Sequence, residues 1–235
     1  MSSVLKAPVD ILVITAHPDD AEYGTAGTVA RWIKEGRSVA YVLCTSGEKG
    51  TTDRTMTPEK LAVIREKEQR AAAEVLGVRD VEFLRYPDQS IEDTPEMRQH
   101  IVQVIRTYRP HTVITTDPYR RYVWHRDHRN IGQVVLDAAF PFARDHGAYP
   151  DLLEQGFEPH KVRELYFFGA EDINYYSDIT ETFDLKLKAL KCHASQMREL
   201  KAGDLDAWMR KRYHNLAKGS GYELAEAFHH VKLPG

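Results

Sequence analysis

The sequence predicts an α/β fold: a mostly parallel sheet covered by helices on both faces, giving three layers. Three observations carry this. First, an apolar run, Ile11-Leu12-Val13-Ile14-Thr15, precedes a stretch with apolar residues at helical spacing and then a second β-rich run, Val39 to Cys44. That order makes a βαβ unit, for which a right-handed crossover is expected. Second, short β-rich runs keep alternating with longer helical patterns, as in parallel sheets with helical crossovers. Third, two helical patterns open on the same signal, Thr57-Pro58-Glu59 and Thr94-Pro95-Glu96. In each, a capping hydroxyl is followed by proline at the first helical position.

Taken in order, residues 10–15 are the first strand. The next helix is read over Glu22 to Glu35, with Ala26, Val29, Ala30 and Ile33 at helical spacing and Gly36 as its stop. After the strand at Val39 to Cys44, residues 46–57 form a polar, glycine-containing loop of a length that is often functional. The helix begun at Thr57 runs to Gly77, and Val81 to Leu84 is a short strand. The helix begun at Thr94 ends near Tyr108, and Thr112 to Thr115 is another strand. Residues 116–124 are a loop rich in Arg and Tyr, and the helix after it runs to about Phe140. Gly147, Pro150, Gly156 and Pro159 mark residues 144–160 as loop. Glu164 to Phe168 reads as a strand, and residues 181–201 and 220–229 read as helices. No repeat, low-complexity tract or linker interrupts this pattern, so residues 1–235 read as one domain.

Bulk properties exclude several functions. A formal net charge of −3 gives no general reason to expect nucleic acid or an anionic membrane as partner. Arg120, Arg121, Arg126 and Arg129 form a local basic cluster, read either as a solvated face or as an attraction for an anionic substrate. Cys44 and Cys192 cannot make a disulfide framework, and two cysteines alone do not make a zinc site. The apolar run at the N-terminus is too short for a signal-peptide core or a membrane span, so a cytoplasmic protein with reduced thiols is expected.

Two segments carry the chemistry: Ala16-His17-Pro18-Asp19-Asp20-Ala21-Glu22 and His125-Arg126-Asp127-His128. The first follows the first strand, where ligands bind in open α/β sheets. Its His and Asp at i and i+3 converge if the chain turns, and Pro18 favours a turn. By itself this segment also fits a plain helix cap, and the second fits a polar helix start. Their joint occurrence, each just past a strand, points to a site. Together they offer two histidines and a carboxylate for a metal, with a carboxylate and a histidine left for acid–base work. Asp19 is the candidate base once Asp20 is on the metal. His125 is the candidate donor to an oxyanion or a leaving amine. Asp127 is read as the carboxylate that orients His125 and raises its pKa.

At these residues the chain resembles the PIG-L/LmbE-like N-deacetylases. Further matches are Gly47-Glu48-Lys49-Gly50, Arg65-Glu66 with Glu68 and Ala71-Ala72, Leu76-Gly77-Val78, Lys188-Ala189-Leu190, and His193 followed by Ser195-Gln196. The resemblance covers nearly the whole chain to about residue 230. It implies a Rossmann-like fold that binds no dinucleotide, and zinc, or another divalent metal, held by His17, Asp20 and His128. It also implies Asp19 as general base, His125 as polariser of the carbonyl, and Asp127 as its support. The implied substrates are small N-acetylglucosamine conjugates, and the implied assembly is a homo-oligomer, trimer or hexamer. The chain departs from the pattern at Ala21, where the family often has Glu, with Glu22 one later. It departs again at Arg126, where Pro is common. Some members place a mobile Tyr where Val123 stands here; either Tyr119 or Tyr122 substitutes, or His125 works without one.

Arg65 and Glu48 are candidate substrate contacts, each weighed against a surface ion pair, and Trp124 is a candidate stacking surface for a sugar ring. Trp32 and Trp208 read as packing residues, His193 as a satisfied core or interface histidine, and His229-His230 as incidental. The expected activity is metal-dependent removal of an N-acetyl group from an amino sugar conjugate. The alternatives are an amidase on a larger thiol-sugar or acyl-amide conjugate, and a metal-containing sugar-binding protein without turnover. The first turn has no G-x-G-x-x-G and no P-loop lysine, which argues against a nucleotide enzyme.

Overall fold

The computed structural model describes residues 6–197 and 205–234. Its strands are β1 (Ile11–Thr15), β2 (Val39–Thr45), β3 (Asp80–Tyr86), β4 (Thr112–Thr116), β5 (Glu164–Phe168), β6 (Tyr175–Asp178) and β7 (Ala225–Lys232). They form one seven-stranded sheet in the order β3-β2-β1-β4-β5-β7-β6. The first five strands pair in parallel, while β7 runs antiparallel between β5 and β6. In register, Ile11 faces Val39 on one side and Thr112 on the other.

Every residue of β1, β2 and β4 is buried, as continuous apolar runs in a sheet covered on both faces should be. Side chains alternate between the two layers. Leu12 and Ile14 pack with Ile101 and Ile105 of α4 (Pro95–Tyr108) and with Val134 and Val135 of α5 (Arg126–Asp137). Ile11 and Val13 pack on the other face against α2 (Ala26–Lys34), α3 (Pro58–Leu76) and α7 (Phe183–Leu190). Both proline-led helix starts hold. Thr57 and Thr94 each accept a backbone N–H three residues on, and Gly77 ends α3 with φ +83°.

Several elements differ from the sequence reading. The helix expected over Glu22 to Glu35 is two helices, α1 (Asp20–Gly24) and α2, because Thr25 leaves helical geometry at φ −147°, ψ −2°. Gly24 and β-branched Thr25 are weak helix residues at that break. Helix α5 ends at Asp137 and passes into a kinked turn around Pro141. The 144–160 loop holds a short helix, α6 (Pro150–Glu154), with Pro150 at its first position. The 181–201 segment is α7 and α8 (Ala194–Met197), and residues 198–201 lie outside the described residues. The largest correction is at 220–229, expected helical, where Ala225–Lys232 is strand β7. Glu223, Leu224, Ala225 and Ala227 are good helix formers. Pairing with both β5 and β6 overrides that preference. Edge strand β6 and helix α9 (Leu205–Leu216) were not legible; α9 buries only Met209 and Tyr213.

The inserted strand is fixed by charge. Glu226, fully buried on β7, accepts the backbone N–H groups of Gly27 (2.9 Å) and Thr28 (2.8 Å) at the start of α2. Lys186 of α7, also fully buried, lies 2.6 Å from Glu226 Oε1 and donates to the carbonyls of Glu22 and Tyr23. A carboxylate at a helix N-terminus and an ammonium in contact with it satisfy each other out of water. No described helix is long and apolar enough to cross a membrane.

The sheet order sets the place for a site. From β1 the chain winds outward through β2 and β3, then returns to lay β4 on the other side of β1. Neighbours β1 and β4 thus flank the topological switch point, and the loops after their carboxyl ends open a crevice there. His17 follows β1, and His125 and His128 follow β4.

Candidate metal centre and active site

The turn after β1 is held in an uncommon shape. Asp19 has φ +89° and ψ −22°, a left-handed conformation that Asp tolerates better than most residues. Its N–H donates to Gln69 Oε1 at 3.0 Å. The Gln69 amide in turn donates to Glu22 Oε1 at 3.0 Å, and His193 Nε2 lies 3.1 Å from Glu22 Oε2. Gln69, Glu22 and His193 are all fully buried. Arg65, 4% exposed, donates to the carbonyls of Pro18 (2.5 Å) and Gly47 (2.9 Å), and its guanidinium is 3.5 Å from Asp19 Oδ1. Gly47, at φ +62°, leaves the space this guanidinium fills, since a Cβ there would stand 2.3 Å from Arg65 Nη1.

Three side chains converge above this turn, Asp20 with both of its carboxylate oxygens. His17 Nδ1 is 3.1 Å from His128 Nε2 and 3.5 Å from Asp20 Oδ2, and His128 Nε2 is 3.0 Å from Asp20 Oδ1. Ligands at zinc bond lengths in a tetrahedron stand about 3.3 Å apart, so the spacing fits. His17, His125 and His128 also present ring nitrogens close enough to share an ion. The other nitrogen of His17, Nε2, lies 3.1 Å from Asp88 Oδ1 and 3.3 Å from Asp127 Oδ2. An N–H aimed at those carboxylates leaves the Nδ1 lone pair for a metal, as ligating histidines require.

The electrostatics call for a cation. Burial alone would lower the His17 pKa, but its contacts with Asp127, Asp20 and Asp88 outweigh burial and hold it well above the ordinary value. Burial would raise Asp20, yet His128 and His17 hold it well below the carboxylate range. Asp88 is drawn down to about 2 against its burial, through His17 and the Lys49 N–H. Asp19 goes the other way. Burial carries it up to about 6, only partly opposed by Arg65. One carboxylate of the cluster is thus poised to exchange a proton near neutral pH while its neighbours stay charged.

The family profile described as PIG-L, GlcNAc-PI de-N-acetylase, matches residues 12–139, which contain every residue of this cluster except His193. The chain belongs to the PIG-L family. It is 34% identical over 221 residues to a diacetylchitobiose deacetylase of Thermococcus kodakarensis, covering 94% of this chain and 82% of the relative. It is 31% identical over 194 residues to a probable N-acetyl-alpha-D-glucosaminyl L-malate deacetylase 2 of Bacillus anthracis, covering 79% and 80%. Among solved structures it resembles the N,N'-diacetylchitobiose deacetylase of Pyrococcus horikoshii, solved with an inhibitor. The TM-score is 0.89 at 30% identity, over 94% of this chain and 83% of that one.

Within this PIG-L chain, the other candidates divide. His125 caps α5 and accepts the Asp127 N–H on Nδ1 at 3.2 Å, which leaves the proton on Nε2. Its pKa is lowered, first by burial and then by His17 and His128; the rise expected from Asp127 is overridden. The Asp127 carboxylate meets His17 and accepts N–H groups of Gln89 (2.7 Å) and Ile91 (3.3 Å), so its support goes to His17 and not to the His125 ring. Arg65 is not presented to a substrate, because its guanidinium is buried on backbone carbonyls. Glu48 accepts the Asp88 N–H at 2.7 Å and ties the glycine loop to the loop after β3.

Trp124 does line a cleft, of about 460 Å³, that opens beside Asp20 and His128. Its indole N–H donates to the Asp117 carbonyl at 2.8 Å, and its ring stands 4.8 Å from that of His128. Tyr119 and Tyr122 are 67% and 89% exposed and do not line the cleft. Trp208, expected in packing, is 51% exposed on its far wall.

Sequence reasoning missed Asp88 and Gln69. Asp88 sits in Pro87-Asp88-Gln89-Ser90 just past β3, so the strand-end rule applied there would have found it. Gln69 gave no local signal. The segment after α7 ties three elements together: His193 to Glu22, Ser195 to Glu68, and Gln196 to the Gly50 carbonyl.

Proposed function

We propose that this protein is a zinc-dependent N-deacetylase that hydrolyses the acetamide of N-acetylglucosamine-type conjugates, releasing acetate and a free amine. The observation that carries the reading is the convergence of His17 Nδ1, Asp20 and His128 Nε2 within 3.0–3.5 Å, with Asp19 as the adjoining residue. The deacetylase relatives at 34% and 31% identity support the substrate class. His17, Asp20 and His128 would hold the ion. Zinc so placed supplies Lewis acidity, bringing the pKa of water to about 7 and polarising a carbonyl.

The chain's own residues then divide the proton work. Asp19 takes a proton from the attacking water onto its carboxylate and delivers it to the leaving nitrogen, so the C–N bond breaks to a neutral amine. Its upward shift to about 6 makes both halves of that exchange accessible. His125 enters neutral, with its proton on Nε2, and donates a hydrogen bond to the carbonyl oxygen as charge builds there. Arg65 and Gln69 keep Asp19 in place.

The reading includes a cytoplasmic setting, supported by the free thiols of Cys44 and Cys192. It also includes a homo-oligomer, supported by Tyr122 and Val123, which stand 89% and 88% exposed on one loop. The test is acetate release from a panel of N-acetylglucosamine derivatives, with metal-stripped protein and with zinc restored. Release that returns with zinc is expected. No acetate from any member, with zinc demonstrably bound, would overturn the reading.

A further inference from the structure

The cleft beside His128 has an unusual supply of polar groups. Two guanidiniums face it, each stacked on a tryptophan: Arg120 lies 4.5 Å from the Trp124 ring and Arg212 lies 5.9 Å from the Trp208 ring. Neither meets a carboxylate among the described residues. The other polar groups of the wall are already engaged. Glu171 is held by Arg121 at 3.2 Å, the Tyr213 hydroxyl donates to the Tyr23 carbonyl, and the Tyr23 hydroxyl points at Met197 Sδ, 3.9 Å away. No Asn, Gln, Ser or Thr among the described residues lines the cleft.

A wall that read neutral sugar hydroxyls would need acceptors as well as donors, usually from carboxylates or amides. Beyond the Asp20–His128 end, and with Glu171 paired to Arg121, the charged groups this wall leaves without an ion-pair partner among the described residues are the two guanidiniums, set against aromatic faces. Guanidiniums hold their charge at any working pH, and their planar fork matches carboxylate and phosphate. Stacking on tryptophan also limits the entropy lost when such a fork engages.

Resting on the deacetylase reading, we propose that Arg120 and Arg212 select conjugates with an anionic group, carboxylate or phosphate, on the part of the substrate beyond the N-acetyl sugar. The acetamide goes to the His17–Asp20–His128 end, and the anion is gripped between the two arginines, with Trp124 and Trp208 packing on what joins them.

The test compares three ligands that share the N-acetylglucosamine and differ at C1: a phenyl glycoside, a 4-carboxyphenyl glycoside and the 1-phosphate. Calorimetric binding to the zinc-loaded protein is measured for wild type and for the Arg120→Gln/Arg212→Gln pair. Acetate release is followed in parallel. The anionic ligands are expected to bind at least tenfold more tightly than the phenyl glycoside, and the advantage is expected to shrink with added salt and to vanish in the variant. Whichever of carboxylate and phosphate shows the larger loss identifies the anion favoured. Equal binding of neutral and anionic ligands, or an advantage unchanged in the variant, would overturn the inference. Absence of acetate from all three ligands would count against the deacetylase reading alone, because the binding comparison stands without turnover.

Discussion

His17 and Asp88, on loops that leave different strands, meet at 3.1 Å between Nε2 and Oδ1. The contact fixes which nitrogen of His17 faces Asp20 and His128. Removing such a carboxylate partner typically costs tenfold to a hundredfold in metal affinity, so Asp88→Ala is expected to weaken zinc binding by about that factor. Competition against a chelating dye would read it. Unchanged affinity would mean that Asp127 alone orients the ring.

Asp19 is placed as the base and not as a metal ligand. Asp19→Asn should therefore keep its zinc while kcat falls by about 10² to 10⁴. Metal content by emission spectroscopy and single-turnover acetate release separate the two effects. Loss of zinc together with activity would instead place Asp19 on the ion.

The Lys186–Glu226 pair is fully buried. Lys186→Met leaves the Glu226 carboxylate without its cation and should cost about 3–5 kcal/mol. Adding Glu226→Gln removes the stranded charge and should recover part of that loss. Urea unfolding of both variants checks it, and equal stability of the single and double variants would refute it.

His193 gives a pH dependence. Burial would lower its pKa, but Glu22 outweighs burial and raises it above the ordinary value. A raised folded-state pKa means that the protonated His193–Glu22 pair stabilises fully below the unfolded value of about 6.5. The contribution fades as pH rises through the folded value. The stability gap between wild type and His193→Gln should therefore be wider at about pH 5.5 than at about pH 9. A gap that widened with rising pH would show that His193 is buried neutral.

Much of this was legible in the sequence because it rests on local signals. Proline-led caps, apolar runs and the strand-end position of His17 and His125 each depend on a few adjacent residues. The failures are non-local. Residues 225–232 carry helix-forming side chains and become a strand only because β5 and β6 offer edges to pair with. Asp127 was assigned to its neighbour in sequence, His125, whereas the turn of α5 sends its carboxylate to a histidine 110 residues away. Arg65 looked like a surface or substrate residue because nothing nearby announces that Gly47 makes room for it.

The insertion of β7 has a consequence for synthesis. The Gly27 and Thr28 amides of α2 wait for a partner 199 and 198 residues further along. While the chain emerges from the ribosome, β1 to β5 can pair as they appear, but β6 has no neighbour except β7. A nascent chain that has released β5 and not yet β7 therefore carries an open sheet edge, a template for pairing with other chains. Stalling or premature termination before residue 225 should yield aggregates and not a slightly shortened enzyme, which makes the last strand a checkpoint on complete translation.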